Sequence, residues 1–463
     1  VEYNYTIRDL TGVDIRPTDT FPVDPANEAG FDNSGESLSM SPALLNKYLG
    51  AARQVVEHLV LTPDGIAFAP HPVVTNTDRD KYCVKRIVEF YQSQPTDYAD
   101  YFLAAWKYQH RESLGSPDAS LRDFAVQDRI SPKYLATIWS LLNDQGNSAG
   151  PIATVRSMWD ALPSDPSQRA EARDGCAQIR EMILELRKRL TFTFPNLQIE
   201  GSNRGSQPFV LWKNRQYVEH RRKFNPDALT SPDSPESAKN SKPVEDSKPV
   251  EESKSVQVSD STTNPSGDPI AEALVLPADE TKRVQTLASF ERFASVFPDA
   301  FYVSERGRDY VDEKSKQEGE KGRLLSAGFH SMMGYFRDDR PLYDLVLDES
   351  AQQQIDRLWR ELDFVTSAPM RQYSGFLWFE RTDSRFMRDE QFDFARAEDK
   401  SAATQEMIER LAELYLAKAR TYGGDAVEIE AIDHYFREIN AQIRWVENAR
   451  LDAEPDHLRA VLE

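Results

Sequence analysis

Residues 41–61, SPALLNKYLGAARQVVEHLVL, hold the clearest helical pattern of the chain. Ser41 can cap the free N–H groups of a first helical turn, and proline is favoured directly after such a cap. Apolar side chains then recur with the 3.6-residue period of an α-helix, at Leu44, Leu45, Tyr48, Leu49, Ala52, Val55, Val56 and Leu59. This spacing predicts an amphipathic helix through Leu61 that buries one apolar face.

The segment before this helix is acidic and contains several prolines. A short helix over residues 3–12, ended by Gly12, leads into a loop whose oxygen-bearing side chains include Asp14, Asp19, Asp24, Asp32 and Asn33. Carboxylates gathered on a loop can ligate Ca²⁺, although the spacing here differs from that of an EF-hand. The loop is therefore a candidate cation site or contact surface, and a merely solvated acidic loop is the alternative.

Most of the remaining chain repeats the helical pattern. Ser131-Pro132 is a second Ser-Pro helix start, and two long helices over 401–422 and 425–451, joined by Gly423-Gly424, indicate an antiparallel hairpin. Strand alternation is rare, and the best candidates for short strands are Phe192–Phe194 and Phe209–Trp212. The predicted fold class is mainly α, with multi-helix bundles and short irregular or β pieces.

A chain of 463 residues is too long for one compact core, so more than one domain is expected. Residues 226–269 are rich in Ser, Pro, Lys and Glu, and they contain SKPVED followed directly by SKPVEE. Such a composition buries too little apolar surface to offset chain entropy, which predicts a disordered linker. The chain is accordingly divided into an N-terminal helical region (1–225), the linker (226–269) and a C-terminal helical region (270–463).

The charge of the chain limits its partners. The net charge is −20 and the mean hydropathy is −0.61, which oppose unspecific contact with nucleic acid or anionic membranes. Residues 212–224 are locally basic and aromatic, but the segment is short and a role in internal salt bridges is favoured over nucleic-acid binding. No apolar run reaches the length of a membrane span. We therefore expect neither a nucleic-acid partner nor a membrane span.

Recognisable catalytic motifs are absent from the sequence. Cys83 and Cys176 lie in no metal or haem-attachment spacing, so no cofactor is expected within this chain. Two part-buried thiols are favoured, and a single disulfide is the alternative. Among the seven histidines, His330 and His434 have the most distinctive surroundings, yet an ordinary structural role is favoured for them. The aromatic segment 373–379 could stack on sugars, although a core role is favoured. The sequence leans against an enzyme.

Several motifs carry a resemblance to a known family. RDLTGVD at 8–14 and GFDN at 30–33 are the most specific, and DRDKYC at 78–83, YADYFLAAW at 98–106, GRLLSAGFH at 322–330 and LWRELDF at 358–364 extend it. With these motifs the chain resembles the large multidomain proteins of planctomycete type, which often carry an N-terminal c-type cytochrome domain and several domains of unknown function.

The resemblance implies that this chain is an internal fragment of an exported, extracytoplasmic protein, periplasmic or secreted. It implies haem c in a neighbouring domain outside this chain, since no CxxCH is present. Our first hypothesis is a non-catalytic helical scaffold or interaction region whose partners are other domains of the same large protein. The alternatives are a polysaccharide-binding or polysaccharide-degrading protein, and an electron-transfer accessory that docks a c-type cytochrome domain.

Overall fold

The structure is a computed structural model. It describes residues 2–19, 21, 41–144, 146, 149–202, 206–230, 270, 273–303, 335–366 and 405–462. The described part is mainly α-helical, with one two-stranded sheet, which confirms the predicted fold class. None of its helices has the length and apolar character to cross a membrane.

Fourteen α-helices occur in the described residues. They are α1 (Glu2–Thr11), α2 (Pro42–Val56), α3 (Asn76–Gln92), α4 (Tyr98–Gln109), α5 (Leu121–Gln127), α6 (Pro132–Asn143), α7 (Gly150–Asp160), α8 (Arg169–Arg189), α9 (Gln207–His220), α10 (Glu280–Val296), α11 (Arg340–Leu345), α12 (Glu349–Val365), α13 (Gln405–Thr421) and α14 (Ala426–Leu462). The antiparallel strands β1 (Leu59–Thr62) and β2 (Gly65–Phe68) form a hairpin between α2 and α3.

The larger of two hydrophobic cores contains residues from both sides of the predicted linker. Helices α3, α4, α6, α7 and α8 pack there with α10 and α12. Two buried tyrosines span the two sides, because Tyr134 Oη donates to the carbonyl of Val296 at 2.9 Å and Tyr98 Oη donates to the carbonyl of Pro298 at 2.9 Å. The two helical regions therefore share a core, while the boundaries at 225 and 270 stay a prediction.

The second core forms where α13 and α14 pack against each other and against α9. The rings of Tyr415 and Phe436 stack across the helix pair at 5.6 Å, and Gly423 adopts a φ of +79° in the connection. Glycine suits this position because it tolerates the left-handed conformation that ends a helix. The predicted pair of long helices is confirmed, and α14 continues to Leu462, beyond the predicted end at Leu451.

The prediction of two short strands from the sequence was wrong. Phe209–Trp212 lies in α9, where Pro208 occupies the first turn and favours a helix start. Phe192–Phe194 is irregular, and its two rings stack at 5.8 Å. Short apolar runs fit either a strand or a buried helix turn, so periodicity alone could not separate them.

The helix predicted through Leu61 ends earlier, at Val56, and the chain then turns into β1. A tight turn at Gly65, with a φ of +128°, joins β1 to β2. The pairing of Leu61 with Ile66 across this turn explains the change, since a hairpin satisfies the backbone groups that the helix would have used.

The ends of the predicted linker meet in the fold. The N–H of Thr230 donates to the carbonyl of Leu274 at 3.1 Å, and the N–H of Leu276 donates back to the carbonyl of Thr230 at 2.9 Å. Residues 231–269, for which disorder is predicted, and the aromatic segment 373–379 lie outside the described residues.

Candidate interaction surface

Helices α1 and α2 stand apart from the rest of the fold. Helix α1 buries no residue, and α2 buries only Ala51. Among the described residues, neither hydrophobic core contains a member that precedes Val60. The two helices therefore form a peripheral unit that continues into the body of the protein through the β-hairpin.

Aromatic and polar contacts hold this unit together. Tyr48 of α2 makes edge-to-face contacts with Tyr3 of α1, at 5.7 Å between ring centroids, and with Phe21, at 4.9 Å. Asn4 Oδ1 accepts hydrogen bonds from the hydroxyl of Thr18 at 2.7 Å and from its N–H at 3.1 Å. The segment after α1 is thus fastened back onto α1, and α2 packs on both.

The apolar face of α2 is divided into two stripes. Leu44, Tyr48, Ala51 and Val55 are buried or half-buried. The parallel stripe faces outward, with exposed fractions of 49% for Leu45, 53% for Leu49 and 63% for Val56. These three positions are spaced by four and seven residues, so they share one side of the helix. The prediction of a single buried face was therefore wrong for this stripe, because no described segment covers it.

The charge of α2 differs from that of the chain as a whole. The helix carries Lys47 and Arg53 and no carboxylate, whereas the whole chain has a net charge of −20. Arg53 lies in the last turn, where a cation is favoured by the helix dipole. An apolar stripe on a basic helix is chemically suited to an apolar partner that carries acidic residues.

The residues predicted to form a cation loop are only partly within the described chain. Asp14 pairs with Arg16, whose Nε lies 2.9 Å from Oδ2, and Asp19 accepts a hydrogen bond from Asn4 Nδ2 at 3.2 Å. Asp24, Asp32 and Asn33 lie outside the described residues. Within the part of the chain that the structure describes, no group of three or more metal-ligating side chains occurs. The cation site stays a prediction.

The structure contains a group of buried carboxylates that the sequence alone could not single out among its many acidic residues. Asp299 and Asp338 both pair with Arg221, and Asp339 pairs with Arg337 and accepts a hydrogen bond from Tyr91 Oη at 3.0 Å. Burial raises the pKa of Asp299 and of Asp339, against the lowering effect of their arginines. These carboxylates are enclosed and paired, so their arrangement serves the stability of the fold.

The histidines with buried hydrogen bonds in the structure are not His330 and His434, the two that the sequence singles out. His58 Nδ1 bonds to the carbonyl of Ala69 at 2.8 Å, and His457 Nε2 bonds to the carbonyl of Thr62 at 2.8 Å. His434 is exposed on α14, and His330 lies outside the described residues. Cys83 and Cys176 are free thiols, which was the favoured of the two alternatives, and both are more deeply buried than expected.

Comparison with known proteins adds one finding. The model of the family PSD3, described as a protein of unknown function (DUF1587), matches residues 1–61. This range covers α1, α2 and the start of β1, so the matched segment includes the peripheral unit described above. No curated protein and no solved structure matches the chain.

Proposed function

We propose that this chain is a non-catalytic helical interaction region of a large exported protein. Its docking element is the outward stripe of α2, and its partner is an apolar, acid-flanked helix of another domain of the same protein. The observation that carries this proposal is the exposure of Leu45, Leu49 and Val56 on a helix that lies outside both hydrophobic cores.

The size of the surface suits a helix. Helix α2 has 15 residues and is therefore about 22 Å long, which is long enough to pair with a second helix of similar length. Complete burial of a Leu or Val side chain contributes about 1.5–3 kcal/mol. Because each of the three side chains is roughly half exposed, their remaining surface supplies several kcal/mol to an association, before its entropic cost.

The charges suit an acidic partner. Arg53 lies beside the stripe, four residues after Leu49, and α2 itself contains no carboxylate. Like charges across an interface disfavour a basic partner, whereas a carboxylate on the partner would pair with Arg53. A second copy of α2 is disfavoured on the same ground, because its stripe is likewise bordered by Arg53 and the helix offers no carboxylate in return.

Selection from a random peptide display library tests the proposal on the intact chain. We expect enriched peptides with apolar residues at helical spacing flanked by Asp or Glu. Their binding should be lost on Leu49→Glu and retained on Val284→Glu, a matched control at an exposed position of α10. Glutamate is a good helix former, so both variants should fold.

Two results would overturn the proposal. The first is a set of enriched peptides whose binding does not depend on Leu49, or whose flanks are basic. The second is concentration-dependent dimerisation of the chain in sedimentation experiments that Leu49→Glu abolishes, which would identify a second copy as the partner.

The export of the protein and a neighbouring domain with haem c belong to the same proposal, on the strength of the family resemblance alone. The polysaccharide and electron-transfer alternatives remain hypotheses. The aromatic segment 373–379, which suggested sugar binding, lies outside the described residues, and the buried carboxylates described above are paired with arginines.

A further inference from the structure

A groove of about 660 Å³ opens between the hairpin and the ends of α12 and α14. Its walls are mainly apolar and include Leu61, Phe364, Leu451 and Leu458. Clefts of this volume, lined by apolar side chains with a few polar groups, are typical binding sites for small molecules. The groove is separate from the outward stripe of α2, none of whose residues lines it.

Hydrogen bonds between the surrounding elements fix the shape of the groove. His457 of α14 donates from Nε2 to the carbonyl of Thr62 at the end of β1, at 2.8 Å. Arg450 of α14 donates from Nη2 to the carbonyls of Phe364, at 2.7 Å, and Thr366, at 3.2 Å. Helix α14 is thereby tied to both other walls, so the site is formed before a ligand arrives.

The polar lining of the groove is cationic. Arg79 and Arg450 contribute two positive charges and Glu454 one negative charge, so the charged lining sums to one positive charge. Partial burial, and then the positive charge of Arg79, lower the pKa of the Arg450 guanidinium. Within the described residues, neither arginine is part of a salt bridge. An anion between them would relieve their mutual repulsion.

We propose that the groove binds a free fatty acid. Its carboxylate accepts hydrogen bonds from the guanidinium groups of Arg79 and Arg450, and its alkyl chain lies along Leu61, Leu451 and Leu458. The head group of such a ligand suits the arginines, because guanidinium groups are strong hydrogen-bond donors to carboxylates. Its alkyl chain suits the apolar wall, which removes methylene groups from water.

Isothermal titration calorimetry of the intact chain with octanoate, decanoate and dodecanoate, each below its critical micelle concentration, tests this proposal. We expect one ligand per chain and an affinity that rises about fourfold for each added methylene group. Arg79→Gln should weaken dodecanoate binding by about tenfold, because one charge-assisted contact is lost. Arg79 is exposed and pairs with no described carboxylate, so this variant should fold.

Leu61→Glu, at a position that is 43% exposed, should abolish binding, since it places a carboxylate against the alkyl chain. Val284→Glu on α10 and Leu49→Glu on α2 lie outside the groove and should leave the affinity unchanged. Dodecyltrimethylammonium, which has the same tail and a positive head group, should not bind. The proposal is overturned if dodecanoate releases no binding heat, if the cation binds equally well, or if Arg79→Gln leaves the affinity for dodecanoate unchanged.

Discussion

The guanidinium of Arg221 binds the carboxylate of Asp338, with Nη2 2.7 Å from Oδ2 and Nε 3.3 and 3.2 Å from the two oxygens. The Nη1 atom of the same arginine donates to Asp299 Oδ2 at 3.1 Å. Arg221 precedes the predicted linker and both aspartates follow it. One buried cation therefore joins chain segments from the two helical regions.

Replacement of this cation should be costly. We expect Arg221→Met to lower the free energy of unfolding by about 3–5 kcal/mol, because two buried carboxylates lose their shared counter-charge. Urea denaturation followed by circular dichroism measures the change. Arg459→Met is the control, since Arg459 forms an exposed pair with Asp456 and should cost less than about 1 kcal/mol. Equal effects of the two variants would contradict a structural role for the Arg221 cluster.

The two Ser-Pro helix starts should respond differently to alanine. Ser41 Oγ accepts a hydrogen bond from the N–H of Leu44 at 3.1 Å on a helix that lies outside both cores. Loss of this cap costs about 1 kcal/mol, and the peripheral α2 can open on its own. We therefore expect Ser41→Ala to speed amide hydrogen exchange in α2 about fivefold, with no change in global unfolding.

Ser131 has a second partner, because its Oγ caps α6 and also donates to the buried carbonyl of Val346 at 2.6 Å. Ser131→Ala leaves that carbonyl unsatisfied, so we expect the free energy of global unfolding to fall by about 2–3 kcal/mol. Denaturation and hydrogen exchange on both variants separate the two cases. A global loss for Ser41→Ala would show that α2 unfolds together with the body of the protein.

A carboxyl near the end of α12 should make stability depend on pH. Burial raises the pKa of Asp363 to about 7, from an ordinary value of 3.8. The folded protein then holds a proton that the unfolded chain releases, so stability declines as pH rises from about 4 to 7 and is constant above that range. We expect Asp363→Asn to remove this decline and to be more stable than the parent by roughly 1–3 kcal/mol at pH 8.

Thermal unfolding at a series of pH values measures this effect. At pH 3.5 the variant and the parent should have similar stability, because the carboxyl is neutral in the folded state and mostly neutral in the unfolded state. Asp452→Asn, at an exposed position of α14, serves as the control for a change of net charge. A variant less stable than the parent at pH 8 would show that the Asp363 carboxylate is needed in its charged form.

Local signals in the sequence identified helix starts but not the environment of the helices. The Ser-Pro starts at Ser41 and Ser131 are helix caps, as predicted, because capping depends on residues only three positions apart. The same pattern could not distinguish the peripheral α2 from the buried α6. Burial depends on which distant segments cover a helix, and periodicity contains no information about them.

The candidate sites show the same limit. The groove joins Leu61, Arg79 and Arg450, which are far apart in the chain and belong to no spaced motif. The sequence did contain one signal for a surface on α2. This helix has Lys47 and Arg53 and no carboxylate, although the chain as a whole is strongly acidic. The outward stripe of α2 could not be recognised, because Leu45 and Leu49 fit a core face as well as an exposed one.

The two thiols should be unreactive in the folded protein. Cys176 lies in the larger core, and burial raises its pKa to about 12. Burial likewise raises the pKa of Cys83, whose Sγ lies 3.9 Å from the carbonyl of Glu361. At pH 8 we expect both to react with Ellman's reagent at least about a hundredfold more slowly than in denaturant, because the thiolate is the reacting species and neither sulfur is accessible.

Val284→Cys on the exposed side of α10 provides a fast-reacting control in the same protein. Rapid reaction of one thiol in the folded parent would mean that its core opens locally, and hydrogen exchange in α3 or α8 would then show which of the two helices is mobile.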